Sequence, residues 1–352
     1  MWGKFLCAVV CSAVVGTGCD EAEITMPAAN GEDGSGGGNG GGNGGGGHDG
    51  TGGVDGGNNG LGPDGGTHFD SGTLPEPDSG TDPTPGDGAF PSPATTGWAH
   101  TGVTLSAYTG PSTITADNTV IDSKDITKCL VIDAKNVTIK RSRIKCSNDR
   151  GIEQGDGATG LLVEDTEILS TDTSSTNTTI ERAVAIWGGG GVTLRRLYIH
   201  DTIKGVDLGS NTTIEDSYIA DNVVPEDSCV GGCPHSTAIV SFGTADHVVI
   251  RHNTLKNRFG ATAAVALERD YGVSDDYLID GNLLATDGGY CFYAGASNMA
   301  FVNNKFSTEF EEDCGFTSHT LDWVPSRGGL TWSNNTWYDP GGKKDGQQVP
   351  EP

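Results

Sequence analysis

Six side chains that can engage a polyhydroxylated ligand stand just inside or just after short apolar runs: Glu153, Trp187, Asp207, Phe242, Glu268 and Tyr293. Each falls where strand alternation turns a side chain outward, if Ile152, Val184, Ile186, Val206, Leu208, Ile239, Val265, Leu267 and Phe292 point inward. Rings stack on pyranose faces and carboxylates accept hydroxyl hydrogen bonds, so Glu153, Trp187, Phe242 and Tyr293 are expected to bind substrate. A pair of carboxyl groups adds the chemistry of glycoside hydrolysis, which needs them about 5 Å apart for retention or about 6.5–9.5 Å apart for inversion. Asp207 and Glu268 are the candidate pair, with Arg269 beside them. Elimination from a uronic-acid polymer needs instead a base and a cation, and calcium is the expected cofactor in that case alone. Lys204, Arg269 and His235 are candidate bases, with Asp201, Asp207 or Asp270 as calcium ligands, whereas Arg251 and His252 sit within a structural repeat.

These residues need a scaffold that presents successive short strands side by side, and the chain repeats one nonapeptide eight times, from Asn136, Gly160, Gly191, Asn211, His247, Asp276, Asn298 and Gly329. Its fourth position reads Ile139, Val163, Leu194, Ile214, Ile250, Ile279, Phe301 and Trp332, and its ninth Ile144, Ile168, Ile199, Ile219, Leu255, Leu284, Phe306 and Trp337. The second position is mostly apolar, which starts each copy with the period-two alternation of a half-buried strand. The seventh is Asn in the last four copies, at Asn253, Asn282, Asn304 and Asn335, which suits side chains stacked along a column of identical turns. A third strand recurs between copies, as in Arg182–Ile186, Gly205–Leu208, Thr237–Val240 and Ala264–Leu267.

Three strands per coil with an Asn column resembles the right-handed parallel β-helices of the pectin-lyase-like superfamily, from about Thr101 to Tyr338. The resemblance implies an all-β solenoid of about eight to ten coils, and a ligand lying along the face of the third strand. Consecutive coils place equivalent residues about 4.8 Å apart. The resemblance does not extend to catalytic motifs: the chain carries neither the combined Asn-Thr-Asp, Asp-Asp, Gly-His-Gly and Arg-Ile-Lys set of polygalacturonase-like hydrolases nor the Trp-x-Asp-His and Arg-x-Pro-x-x-Arg motifs of pectate lyases. The function expected is therefore binding of, or action on, polysaccharide as a lyase or glycoside hydrolase, with a non-catalytic binding or adhesive module as the alternative.

The flanks set the compartment. Residues 1–19 read as an export signal, with Lys4 before an apolar run from Phe5 to Val15 that is too short to span a bilayer. Val15-Gly16-Thr17-Gly18-Cys19 resembles a lipoprotein processing site, which implies lipidation at Cys19 and a cell-surface protein, with free secretion as the alternative. Residues 20–95 hold much of the 56 glycines and read as a disordered acidic tether, 96–340 as the β-helix, and 341–352 as a disordered tail. A net charge of −26 excludes a nucleic-acid partner, since phosphate recognition needs clustered cations. Polysaccharide is the expected partner, the membrane is reached only through a lipid at Cys19, and a monomer is expected. Six cysteines follow the signal in local pairs, Cys129 with Cys146, Cys229 with Cys233 and Cys291 with Cys314, as disulfides of an exported chain. No metal site is expected. Gly97–Ile114 is expected to cap the N-terminal end of the solenoid, and Trp332, Trp337 and Tyr338 the other.

Overall fold

The computed structural model describes residues 89–147, 150–188, 190–225, 235–258 and 262–352. The export signal, Cys19, the tether up to residue 88 and the Cys229–Cys233 pair lie outside the described residues. The described chain is a right-handed parallel β-helix whose strands form three sheets, of nine, ten and nine strands, every strand parallel to its neighbours. Sheet I collects the first half of each repeat, from Val120–Asp122 to Thr331–Ser333; sheet II collects the second half, from Ser106–Ala107 to Thr336–Tyr338; sheet III collects the intervening strands, from Thr113–Ile114 to Ser318–Leu321.

The repeat positions fall into register as the pattern requires. Fourth positions stack as Ile121, Ile139, Val163, Leu194, Ile214, Ile250, Ile279, Phe301 and Trp332, and all but Trp332 are buried. Ile121 reveals a ninth copy, beginning at Asn118, whose ninth position Ile126 pairs with Ile144. The first position is left-handed in every copy, with φ from 44° at Asn298 to 67° at Gly160, and so is the sixth, from 47° at Arg141 to 66° at Gly281. Two such residues, one before each strand, turn the chain at the corners between sheets, which is why Asn, Asp and Gly recur there.

The Asn column forms. The backbone N–H groups of Ser217, Asn253, Asn282 and Asn304 each donate to the side-chain oxygen of the next Asn, at 2.9 Å, and all four Asn side chains are buried. Ser217 continues the column towards the N-terminus by accepting from Leu197 N–H at 3.0 Å. Inside, Phe292, Phe301, Phe306 and Trp332 stack along the last coils, with Phe292–Phe301 centroids 4.4 Å apart and Phe301–Trp332 4.9 Å. Two of the expected disulfides are present, Cys129–Cys146 and Cys291–Cys314, with Cα atoms 5.4 and 5.3 Å apart. Two such bonds suit an oxidising, extracytoplasmic compartment.

The ends differ from expectation. The chain before Thr101 does not cap the solenoid; it runs lengthwise over sheet II. Phe90 packs on His252 and Tyr338, Pro91 accepts from Thr254 Oγ1 at 2.7 Å, Gly97 N–H donates to the Arg196 carbonyl, Trp98 Nε1 donates to Glu167 at 2.7 Å, and His100 meets Asp165 at 2.8 Å. The last residues, expected as a free tail, fold back on the final coil: Val349 is buried, its N–H donates to the Asn335 carbonyl, and its own carbonyl accepts from Trp332 Nε1 at 3.1 Å. Trp323, Trp332 and Trp337 close that end together with this segment, while Tyr338 points outward against Phe90.

Candidate functional site

The outer face of sheet III carries the residues singled out in the sequence. One outward column runs, coil by coil, through Glu153, Ala185, Asp207, Val240, Ala266, Tyr293 and Leu321. A second outward position follows two residues later, where Trp187, Phe242 and Glu268 stand. A third column was not legible from simple alternation: Arg150, Arg182, Lys204, Thr237 and Ala263 stand in register. Strict alternation would send these inward. The residues that follow them, Gly151, Ala183, Gly205, Ala238 and Ala264, are small or lack a side chain, and with the next residue they turn two consecutive positions toward the core. That run of small residues was the available signal.

The face has two characters. Over the earlier coils it is ionic: Arg182 lies 2.7 Å from Asp207 and 2.9 Å from Glu181, Lys204 lies 3.4 Å from Glu181, and Arg150 lies 3.7 Å from Glu153 while covering the Trp187 ring at 5.0 Å. Burial pushes the Asp207 carboxyl up against the pull of Arg182, and burial pushes the Lys204 ammonium down against the pull of Glu181. Over the later coils it is apolar and aromatic, with Val240, Ala263 and Ala266 buried beneath Phe242 and Tyr293.

Two clefts open on this face. The smaller, 190 Å³, is lined by Trp187, Asp207, Phe242 and Tyr271 among others, with Phe242 and Tyr271 edge to face at 6.4 Å. Trp187 is 44% and Tyr271 79% exposed, a large ring area left to solvent. The larger, 570 Å³, is lined by Leu267, Glu268, Arg269, Asp270, Tyr293, Leu321 and Asp322. Glu268 is half-buried there, and burial first, then the charge of Asp270, holds its carboxyl above the ordinary range. Burial, then the charge of Glu268, raises the Tyr293 hydroxyl as well. Arg269 reaches across to Asp322 at 2.7 Å, and Arg327 holds the other oxygen of Asp322 at 2.9 Å.

The expected trio is therefore divided. Glu268, Arg269 and Tyr293 share the larger cleft; Asp207, Trp187 and Phe242 share the smaller; Glu153 lies beyond both, beside Arg150. Asp207 and Ala266 are two coils apart in one column and Glu268 lies two residues further along its strand, so the Asp207 and Glu268 backbones stand about 12 Å apart from coil and residue rises. The two residues line different clefts and are not brought together as one acid/base pair. Tyr271 and Asp322, which the sequence did not single out, complete the clefts from loops that follow sheet III strands, where periodicity gives no guide, and Asp270, named above only as a calcium ligand, lines the larger cleft. Among the described residues no three His, Cys, Asp or Glu side chains converge as a metal site. Comparison of the chain with protein-family models, with curated proteins and with solved structures returned no match.

Proposed function

We propose that this protein is an exported glycan-binding module, a solenoid of the pectin-lyase-like kind held at the cell surface through Cys19, which lays a polysaccharide along sheet III parallel to the solenoid axis. The observation that carries this reading is the row of accessible rings, Trp187, Phe242, Tyr271 and Tyr293, set beside carboxylates over two adjoining clefts. The coil rise of about 4.8 Å is close to the length of one sugar unit in an extended chain, so Phe242, Tyr271 and Tyr293, on three consecutive coils, meet consecutive sugars, and Trp187 meets one two units away from Phe242. Stacking supplies contact area at low cost in side-chain entropy, and Glu268 accepts hydroxyl hydrogen bonds.

A second reading, glycoside hydrolysis, is favoured by one observation: a half-buried carboxyl held above its ordinary range is what a general acid needs, and Glu268 is such a group. The test uses the purified protein against a panel of polysaccharides, following binding by affinity electrophoresis and turnover by reducing ends and by absorbance near 235 nm. Binding without turnover, weakened at least fivefold by Trp187→Ala, is the expected result. Turnover abolished by Glu268→Gln would replace the binding reading with the hydrolytic one, and no binding to any polymer would refute both.

A further inference from the structure

Resting on the proposal that sheet III holds a glycan, we infer that this glycan is uncharged, and that the face rejects uronic-acid polymers because the chain pairs its own cations. A uronate carries a carboxylate on every sugar, and a site for it must offer cations whose donors are free to meet those carboxylates, Arg above all. Here the cations of the face are already engaged. Arg182 is held between Asp207 and Glu181, Lys204 by Glu181, Arg150 by Glu153, and Arg269 by Asp322. Asp322 is itself fixed by Arg327, so the Arg269 pair is part of a three-member bridge along the wall of the larger cleft.

What the lining of that cleft leaves for a ligand is acidic, and the charges of His235 and Lys204 act on Glu268 more weakly than that of Asp270. Among the described residues, Glu268 and Asp270 have neither an ion pair nor a hydrogen bond to their carboxylates, and the two are close enough that Asp270 raises the Glu268 carboxyl. A uronate laid between Tyr293 and Leu321 meets these two carboxylates with Arg269 turned away towards Asp322. A neutral sugar in the same place donates hydroxyl hydrogens to Glu268 and stacks on Tyr293, with no like charge to oppose it. The net charge of −26 acts in the same direction at long range, slowing the approach of a polyanion.

The pairing also shows how to reverse the preference. Asp322 has φ of 64°, a backbone that Asn tolerates, so Asp322→Asn keeps the turn and removes the charge that occupies Arg269. Asp270→Asn, at an exposed position, removes repulsion without freeing a cation. The experiment titrates the full chain, by calorimetry at low and at high salt, with cellohexaose, xylohexaose and mannohexaose as neutral probes and hexagalacturonate as the uronate probe. At least one neutral probe binds the wild-type protein ten times or more tighter than hexagalacturonate at low salt, and the gap narrows at high salt. Relative to the neutral probe measured on the same variant, Asp322→Asn strengthens hexagalacturonate binding at least fivefold and Asp270→Asn about twofold. Wild-type protein that binds hexagalacturonate as tightly as any neutral probe overturns the inference. So do two folded variants that leave the ratio unmoved. Failure of every hexasaccharide to bind refutes instead the glycan-binding proposal on which the inference stands.

Discussion

Asn304 offers the sharpest test of how the solenoid is held together. Its Oδ1 accepts from the Asn282 backbone N–H at 2.9 Å and from Asn282 Nδ2 at 3.0 Å, while its own Nδ2 donates to the Ile279 carbonyl at 2.9 Å and to Asn335 Oδ1 at 3.3 Å, all out of contact with water. Asn304→Ala removes all four bonds. The Asn282 N–H is then orphaned in the interior, at about 1–3 kcal/mol, and the Ile279 carbonyl loses a donor worth about 1 kcal/mol. The Asn282 amide keeps the Ile250 carbonyl at 2.9 Å, so the expected loss is about 3 kcal/mol. The structure also supplies the control: Ser217 already caps Leu197 N–H with its hydroxyl, so Asn304→Ser recovers the Asn282 N–H bond and costs only about 1 kcal/mol. Urea unfolding followed by tryptophan fluorescence in a Trp98→Phe, Trp187→Phe background reports mainly on this end, where Trp323, Trp332 and Trp337 pack together. Far-UV circular dichroism followed alongside shows whether the other coils unfold together with that end. A loss below about 1 kcal/mol for Asn304→Ala, or a Ser variant no better than Ala, refutes the reasoning.

Two further outcomes follow from other parts of the fold. The hydrogen bond that His252 Nδ1–H donates to Asp216, at 2.6 Å, raises the imidazole above its ordinary value of 6.5, with the Ala89 backbone adding to it, and Phe90 lies on the same ring. A raised folded value means that this contribution to holding residues 89–97 is complete below about pH 6.5 and is lost as pH rises through the raised value. Amide exchange in that segment is therefore expected to be slower at pH 5.5 than at pH 8.5 after correction for intrinsic rates, and His252→Ala should abolish the difference. Gly205→Ala places a methyl 2.2 Å from the Ala238 carbonyl oxygen and 2.6 Å from Ile219, and forcing that overlap costs about 1–3 kcal/mol, read as a lowered melting temperature. An unchanged melting temperature would mean that the two strands can separate without penalty.

The coil architecture was legible because burial imposes itself on type: the fourth and ninth positions face the interior in every coil, and nothing polar is tolerated there. The copy at Asn118 escaped notice because Thr119 replaces the apolar second position and Lys124 stands at the seventh, leaving only Ile121 and Ile126 to mark it. Outward positions are less constrained. Alternation turned Glu153, Asp207 and Tyr293 outward, and the register stacks them in one column, but alternation could not show the two consecutive inward positions that leave Arg182 and Lys204 outward, nor that Arg182 would pair with Asp207. The lengthwise course of residues 89–101, expected partly as tether (to residue 95) and partly as the start of a Gly97–Ile114 cap, has a related cause. Their anchors, Glu167, Arg196, Thr254 and Tyr338, are scattered through the sequence and meet only because coils stack.

Those anchors set how the molecule bears load. The lengthwise strap starts at Phe90 against Tyr338, close to the last coil, and reaches Glu167 and Asp165 some coils earlier. A pull on the N-terminal side thus enters the fold near its C-terminal end and is carried along the axis by several bonds strained in shear at once. The first coil, whose outer edges are the short strands Ser106–Ala107 and Thr113–Ile114, is spared the peeling force that would open a solenoid one coil at a time. Under the glycan-binding proposal, the same arrangement lets a load on sheet III and a pull from residue 89 be shared along the axis.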